Sequence, residues 1–457
     1  MRGISDGRVR DPANREPARL RHHRSLPDDN GIHSLSCAEK GRAGFPKSVH
    51  NDAVRACSFN CNKKGSYLMT MPKGPQAFPR AEYLRRLALV KAKMEQREVT
   101  SLLITSPADI TYLCGYTAKS AYIPQGLVIS LKDEEPTFLT RRMDAPAAVH
   151  QTFMERDRVI GYPEALIADP DKDGFDALIN FLRDDGLGGG RLALENNLLS
   201  AKLIDRFQAG APGTKLADFS NEVPWIRLVK SDLEIEMMRE AAAITDAGML
   251  TGKEVMRPGV READAAAEII ATLVRGVNGK VGTDLRRVFI CASPRSGTAH
   301  IIWTEDVFRQ GSQINLEMGG VRHGYVSALM RTYSIGKPSD RLRRVHHAEV
   351  AGMEAALSAV KPGATCGDVA VAFNTTLKKH GLEKESRCGY AIGIDWTEPT
   401  ASLREDDHTV LQPNMTFHLM LGNWIDEDFG YVISETFRVT ESGAETFSAL
   451  PREIFEI

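Results

Sequence analysis

The chain has 457 residues, of which 42% are hydrophobic and 26% charged, and its formal net charge is −2. A chain of this length usually folds into two or more domains with a sizeable core. The balanced charge gives no support for a nucleic-acid or membrane partner, and no apolar run is long enough to predict a membrane span. Seven scattered cysteines, an odd number, predict a reducing, cytoplasmic location without a disulfide framework.

The first part of the chain is basic and lacks apolar periodicity. Residues 1–70 hold thirteen Lys or Arg against seven Asp or Glu, a composition typical of a disordered segment. Cys57 and Cys61 have a loose metal-like spacing, but no partner pair follows them. We therefore expect residues 1–72 to be a disordered extension, or a stretch that precedes the true start of translation at Met69 or Met71.

From about residue 76 the sequence alternates helical and strand patterns. Residues 80–96 carry apolar side chains at helical spacing, and 107–116 predict a helical turn that ends at glycine. A further helix is predicted at 175–182, and four short strands are predicted at 101–105, 126–131, 137–139 and 192–195. This alternation predicts an α/β domain with a largely buried sheet over residues 76–223.

A second domain is predicted for residues 224–457. Ser231 is well placed to cap its first long helix. The predicted helices are 232–250, 262–275, 342–360 and 366–380, and the strands that follow them are 389–394, 415–421 and 431–439. Helices on one side of an antiparallel sheet define an α+β domain.

The stretch 300–331 carries the residues that point to chemistry. Residues 314–320 alternate apolar and polar side chains and then reach two glycines, which predicts a strand followed by a tight turn. Glu317 lies in this strand, where a carboxylate is costly to bury unless it is paired, protonated or used. His300 is the candidate to share a pocket with it. The alternative is a glutamate at the solvent edge and a loop histidine outside any site.

Four segments together resemble the family of creatinase, prolidase and methionine aminopeptidase, known as the M24 or pita-bread family. They are SPADITYLCGY (106–116), RLVKSDLEIEMMREA (227–241), VKPGAT (360–365) and LQPNMTF (411–417). The likeness covers about residues 76–457. It implies a smaller creatinase-type α/β N-terminal domain and an α+β pita-bread catalytic domain, but it says less about the reaction.

Metal-dependent members of this family hold two divalent ions with two Asp, one His and two Glu. The corresponding positions here carry Glu317, Ala328, Tyr390, Met420 and Ser434. Glu435 is one residue out of register, and a shift of one residue turns a side chain to the other face of a strand. Because alanine and methionine do not bind hard cations, we expect no metal centre and no other cofactor.

Two metal-free activities are known on this fold. Creatinase has a histidine that aligns with His300, but it carries glutamates at the positions of Met330 and Met420 and no acid at that of Glu317. Ectoine hydrolases are more similar, since they have an acid and a histidine at the positions of Glu317 and His300. Their C-terminal half resembles GYAIG (389–393), SLR (402–404), TVLQPNMTFHLM (409–420), GNW (422–424) and ISET (433–436). They usually have a Trp and a Phe where this chain reads TAKSAYIPQ (117–125).

The resemblance implies a metal-independent hydrolase that opens a cyclic amidine, converting ectoine to N-acetyl-diaminobutyrate in compatible-solute catabolism. Glu317 is the candidate nucleophile, or the base that activates water. His300 is the candidate proton shuttle, since imidazole titrates near neutrality. Glu435 is the candidate to hold the ring nitrogen or to orient His300, and an exposed strand acid is its alternative role.

Further residues are candidates for substrate binding. Tyr390 and Trp424 belong to residue types that stack on a cationic ring, and Tyr122 lies in the segment expected to shape the pocket. His418 alternates with apolar residues in a strand, and Arg331 is a candidate to receive the substrate carboxylate, together with Arg404. Core packing, or solvation for the arginines, is the alternative in each case.

Three other functions remain open on the sequence: a metal-dependent Xaa-Pro aminopeptidase, a creatinase-like amidinohydrolase, and a non-catalytic binding protein on the same fold. We expect a small zwitterionic substrate, with neither nucleic acid nor membrane as a partner. The resemblance also implies a homodimer in which each N-terminal domain covers the partner's site.

Overall fold

The computed structural model describes residues 71–457, apart from 118–119, 121 and 188–189, together with the backbone of 60–61 and 67–68. The chain forms two compact units, Met1–Met69 and Thr70–Ile457. In the first unit, β1 (Asn60–Cys61) pairs antiparallel with β2 (Tyr67–Leu68). Cys57 and most of the predicted extension 1–72 lie outside the described residues.

The second unit begins with a six-stranded mixed sheet and its helices. The helices are α1 (Arg80–Gln96), α2 (Pro107–Cys114), α3 (Ala145–Gln151), α4 (Gly174–Asp184), α5 (Ala201–Gly210) and α6 (Glu222–Arg227). The strands are β3 (Ser101–Ile104), β4 (Gly126–Ser130), β5 (Thr137–Arg141), β6 (Val159–Tyr162), β7 (Arg191–Leu194) and β8 (Lys215–Asp218). They lie in the order β6-β5-β4-β3-β7-β8. The central strands β3 and β4 are buried along their whole length, as the sequence predicted.

The rest of the second unit holds two sheets and four long helices. The helices are α7 (Asp232–Val255), α8 (Glu262–Arg275), α9 (Asp340–Ala359) and α10 (Cys366–Lys379). One sheet has the order β17-β11-β10-β9, and the other has the order β13-β12-β14-β15-β16. Their strands are β9 (Phe289–Ala292), β10 (Gln313–Arg322), β11 (Tyr325–Ser334), β12 (Gly389–Ala391), β13 (Ser402–Leu403), β14 (Thr416–Asp426), β15 (Phe429–Val439), β16 (Ala444–Thr446) and β17 (Phe455–Glu456).

Helix α7 begins where the sequence predicted. The Ser231 side chain accepts a hydrogen bond from the Glu234 backbone, and the Glu234 carboxylate accepts one from the Ser231 backbone at 2.8 Å. This reciprocal cap satisfies two backbone donors that the first turn leaves unpaired. It fixes the start of the helix that packs on β10 and β11.

The predicted turn at Gly319 and Gly320 is wrong. Strand β10 continues through both glycines, and the chain turns at His323 and Gly324, with φ angles of 47° and 91°. A Cβ atom on Gly320 would lie 2.6 Å from the Ala241 carbonyl oxygen in α7. Gly320 therefore allows the helix to approach the strand closely, which is an alternative use of glycine inside a strand. A Cβ atom on Gly319 would instead lie 2.9 Å from the Trp396 ring.

The two sheets of the second half meet along β11 and β15. The Met330 amide donates to Ser434 Oγ at 2.7 Å, and Thr436 Oγ1 donates to the Ala328 carbonyl at 2.8 Å. Helices α7 and α8 share one core cluster with β10, and α9 and α10 share another with β14 and β15. Alternate residues of these strands consequently face away from the helices, toward the space between the sheets.

A buried ion cluster joins the first half of this unit to the loop that follows β12. Arg227 is 2% exposed and contacts Asp109 at 2.9 Å and Glu398 at 2.8 Å. Asp109 lies in α2, whereas Glu398 follows two residues that line the cavity described below. The cluster therefore fixes one wall of that cavity. Within the described residues, no helix is both long and apolar enough to cross a membrane.

Candidate active site

A cavity of about 580 Å³ lies between the two sheets of the second half, within the size range of small-molecule sites. It is lined by Arg286, Arg287, Phe289, His300, Glu317, Met330, Ser386, Arg387, Tyr390, Trp396, Thr397, Met420 and Trp424. The strand registers explain this set, since Glu317 lies opposite both Phe289 and Met330 across the sheet. Four Phe, Tyr or Trp side chains, one carboxyl group and three guanidinium groups therefore share one space.

Glu317 is the acidic residue of this cavity. It is 7% exposed, and no described residue donates a hydrogen bond to its side chain. Burial raises its pKa to about 8, because removing a carboxylate from water disfavours the charged form. A buried carboxyl group without a side-chain partner is costly to the fold, and such groups are concentrated at functional sites.

His300 lies in the loop after β9 and lines the same cavity as Glu317. Its ring packs edge-to-face on Phe289, with 5.3 Å between the ring centroids. Phe289 itself stands opposite Glu317 in the β9–β10 register. The prediction that the histidine and the glutamate share a pocket is confirmed, and their catalytic roles stay predictions.

Tyr390 and Trp424 also line the cavity. The Trp424 indole donates to the Thr298 carbonyl at 2.9 Å, and the Trp396 indole donates to the Tyr390 hydroxyl at 3.0 Å. Burial and the nearby charge of Glu317 raise the pKa of Tyr390 to about 12. Tyr390 and Trp424 therefore reach the cavity as predicted, together with Phe289 and Trp396, which the sequence reading missed.

His418 lies behind Tyr390 and does not line the cavity. It is fully buried, and its ring nitrogens contact the Tyr390 hydroxyl at 3.2 Å and Ser434 Oγ at 2.7 Å. Burial lowers its pKa to about 3, so the imidazole is neutral. The predicted contact between His418 and the substrate is therefore wrong, because Tyr390 stands between them.

The predicted roles of Arg331 and Glu435 at the substrate are also wrong. Arg331 is fully buried and donates to Glu435 Oε1 at 2.8 Å, and Arg452 donates to the same oxygen at 3.3 Å. Neither Arg331 nor Glu435 lines the cavity. Glu435 stands opposite Leu419 in the β14–β15 register, whereas Ser434 stands opposite the cavity residue Met420. The one-residue shift therefore turns the carboxylate to the other face of the sheet.

Two other predicted residues lie at the surface. Tyr122 is 78% exposed, and its hydroxyl accepts a hydrogen bond from Arg141 at 3.5 Å. It does not line this cavity in the single chain, and its place in a dimer stays a prediction. Arg404 pairs with the neighbouring Asp406, and both are exposed, so a carboxylate-binding role for Arg404 is wrong.

Three arginines that the sequence reading did not select line the cavity instead. Arg387 Nη1 donates to Ser402 Oγ at 2.7 Å, and its guanidinium carbon lies 4.6 Å from the centre of the Tyr390 ring. Arg286 donates to the Ile394 carbonyl at 3.1 Å. Arg286 also pairs with the Asp284 carboxylate at 3.8 Å. Among the described residues, Arg287 and Arg387 make no ion pair, and they give the cavity a positive character that suits an anionic group of a ligand.

The residues present do not fit a pair of metal ions. No group of three or more His, Cys, Asp or Glu side chains is placed to bind a metal anywhere in the described part of the chain. Met330 and Met420 lie beside Glu317 in the cavity, and Ser434 Oγ is engaged by Met330 and His418. Hard divalent ions require oxygen or nitrogen ligands, and one carboxylate with two thioethers does not provide them.

Comparisons with known proteins place the chain in a family. Models of the creatinase/prolidase N-terminal domain and of metallopeptidase family M24 match residues 86–229 and 236–441. An uncharacterized hydrolase/peptidase, y4tL, from Sinorhizobium fredii is 63% identical over 84% of this chain and 99% of its own length. The chain belongs to the M24 family of hydrolases, as the sequence motifs indicated.

The chain is also similar to a curated enzyme and to a solved structure. Ectoine hydrolase from Halomonas elongata is 35% identical over 83% of this chain and 98% of its own length. The crystal structure of X-Pro aminopeptidase from Thermotoga maritima has a TM-score of 0.70 and 23% identity, covering 81% of this chain and 99% of that one. The predicted fold, a pita-bread domain preceded by a creatinase-type N-terminal domain, is thereby confirmed.

Proposed function

We propose that this protein opens the ring of a cyclic amidine without a metal ion, and that ectoine or a near relative is its substrate. The observation that carries the proposal is Glu317, a carboxyl group without a partner in a cavity that otherwise offers guanidinium and aromatic groups. The likeness to a protein named ectoine hydrolase supports this substrate class. N-acetyl-diaminobutyrate is then the product.

The charges of the cavity complement a zwitterion. A ring amidinium placed against Glu317 lowers the pKa of this carboxyl from about 8, because an opposite charge favours the ionised form. Arg387 and Arg287, which line the same cavity, donate hydrogen bonds to the carboxylate of this substrate. Tyr390 and Trp424 then supply the apolar and aromatic walls for a flat cationic ring.

The reaction adds one water molecule across a carbon–nitrogen bond. Oxygen bonds to the amidine carbon, the bond from this carbon to one ring nitrogen breaks, and this nitrogen leaves as an ammonium group. Glu317 either takes a proton from the attacking water or attacks the carbon itself. In the second case the water then breaks the bond between the Glu317 oxygen and this carbon and restores the free carboxylate. His300 delivers a proton to the departing nitrogen. An amidinium and a water thus become an amide and an ammonium group, with atoms and charge balanced.

The donor set favours this reaction over a two-metal peptidase on the same fold, since the cavity supplies one carboxylate where five ligands are needed.

We extend the proposal to a cytoplasmic location, which the four buried, free cysteines of the described residues support. We extend it also to a homodimer, in which the exposed Tyr122 of one chain reaches the partner's cavity.

The deciding experiment incubates the purified full chain with ectoine, creatine and a proline dipeptide, with and without a chelator, and follows the products by mass spectrometry. We expect ring opening of ectoine that the chelator leaves unchanged. Glu317→Gln is expected to abolish it, and Glu441→Gln, at an exposed acid, to leave it intact. Two bound divalent ions per chain together with chelator-sensitive dipeptide cleavage would overturn the proposal.

A further inference from the structure

A chain of hydrogen bonds runs from the sheet junction to the cavity through Ser434, His418 and Tyr390, and Trp396 joins it at the Tyr390 hydroxyl. The Met330 amide donates to Ser434 Oγ at 2.7 Å, and Ser434 Oγ lies 2.7 Å from His418 Nε2. His418 Nδ1 lies 3.2 Å from the Tyr390 hydroxyl, which also receives the Trp396 indole N–H at 3.0 Å. Ser434 and His418 are fully buried, whereas Tyr390 lines the cavity.

The donors and acceptors around His418 determine which of its ring nitrogens carries the proton. The Ser434 Oγ atom accepts a hydrogen bond from the Met330 amide, so its own proton needs a different partner as acceptor. His418 Nε2 is the acceptor within hydrogen-bond distance of this hydroxyl. If Nε2 carried the imidazole proton instead, the buried serine would keep a proton without an acceptor, which is costly. The neutral imidazole therefore accepts at Nε2 and donates from Nδ1.

This tautomer determines the direction of the Tyr390 hydroxyl proton. The Tyr390 oxygen accepts from His418 Nδ1–H and from the Trp396 indole, which uses both of its lone pairs. Its own proton must then point to the remaining side, where Thr397 and Glu317 line the cavity.

We propose that Tyr390 is a catalytic residue whose hydroxyl donates a hydrogen bond to the oxygen that is added at the amidine carbon, and that His418, Ser434 and Trp396 are positioning residues for it. The inference rests on the proposed ring opening, which places this oxygen between Glu317 and Tyr390. The proton stays on the tyrosine throughout, so no additional reactant is required. A donor held in place before the reaction stabilises charge that develops only in the transition state.

The protonation states agree with this arrangement. Burial lowers the pKa of His418 to about 3, so the ring keeps one donor and one acceptor near neutral pH. Burial and Glu317 raise the pKa of Tyr390 to about 12, so the hydroxyl keeps its proton.

The first test needs no substrate. The ring-nitrogen NMR shifts of His418 in the wild-type protein, assigned by their loss in His418→Gln, report which nitrogen carries the proton. We expect the proton at Nδ1 at pH 7. A proton at Nε2 would overturn the inference whether or not the protein opens an amidine, because the Tyr390 proton would then be directed to the histidine.

The second test is kinetic. Tyr390→Phe is expected to lower kcat by about 10²–10³-fold with little change in KM, the loss typical of one oxyanion donor. Tyr431→Phe is the matched control, since Tyr431 is a buried tyrosine whose hydroxyl bonds His346 at 2.7 Å outside the cavity. An unchanged kcat in Tyr390→Phe would overturn the inference, whereas failure of the wild type to open any amidine would overturn the proposed function itself.

Discussion

Ser434 and Glu435 are consecutive residues of β15, yet their side chains bond on opposite faces of the sheet. Ser434 accepts the Met330 amide and contacts His418 on the cavity side. Glu435 accepts from Arg331 on the other side, where no solvent reaches the pair. The acid that the sequence placed near the site is therefore part of a structural ion pair.

Glu435→Gln is expected to destabilise the protein and to spare its chemistry. Arg331 would keep a buried charge without its carboxylate, and breaking such a pair costs about 3–5 kcal/mol. Urea unfolding measures the loss, and kcat per folded molecule is expected to stay at the wild-type value. Arg404→Ala, which removes an exposed pair with Asp406, is the control and should cost less than about 1 kcal/mol. A large fall in kcat without a loss of stability would contradict this prediction and indicate that Glu435 acts in the reaction.

The sequence predicted helices better than it predicted the end of the central strand. Helices α1 and α8 have the predicted bounds, because apolar side chains recur at helical spacing along both and Gly276 ends α8. The end of β10 was misplaced because a glycine is found both at turns and where a strand packs closely on a helix. Gly320 lies at the close contact with α7, whereas the turn lies at Gly324. Local sequence does not distinguish these two uses, since the helix that demands the space is far away in the chain.

Within the site, the strand residue was easier to predict than the loop residues. Glu317 was found because a lone acid in an apolar strand is unusual, and its burial confirms that reading. Arg286 and Arg387 carried no such signal, because arginines near loops are common at protein surfaces. Their place on the cavity depends on contacts with Ile394 and Ser402, which belong to distant segments. Arg331 follows the cavity residue Met330 in β11, so its side chain points to the opposite face of the sheet and does not reach the cavity.

The rate of amidine opening is expected to rise with pH. Glu317 acts as a carboxylate, whether as nucleophile or base, and its pKa in the free protein is about 8. The profile of kcat/KM should therefore increase through about this pH. The amidinium lowers the pKa of the bound carboxyl, so the corresponding limb of the kcat profile should lie at lower pH. Initial rates between pH 5.5 and 9.5 test this, and a kcat/KM that is flat below pH 8 would contradict the assignment.

Glu317→Gln is expected to stabilise the protein at alkaline pH. The folded pKa of about 8 lies above the ordinary value of 4.5, so the folded state holds this proton more tightly than the unfolded chain. Its stabilising contribution is fully present below pH 4.5 and is lost as pH rises toward 8. The variant should match the wild type at pH 5 and exceed it at pH 8.5 by an amount on the order of a few kcal/mol. Urea unfolding at both pH values checks this, and an equal or lower stability of the variant at pH 8.5 would contradict the buried, unpaired state of Glu317.

Arg387→Ala is expected to weaken the binding of substrates that carry a carboxylate. The guanidinium is held by Ser402 and lies over the Tyr390 ring, so it is oriented before the ligand arrives. A hydrogen bond to a charged group corresponds to about a 10- to 100-fold change in binding, and we expect KM for ectoine to rise by this factor with a small change in kcat. The same cyclic amidine without its carboxylate should bind the wild type and the variant equally, because it offers nothing to the arginine. If the variant loses affinity for both compounds alike, Arg387 maintains the cavity wall and does not recognise the carboxylate.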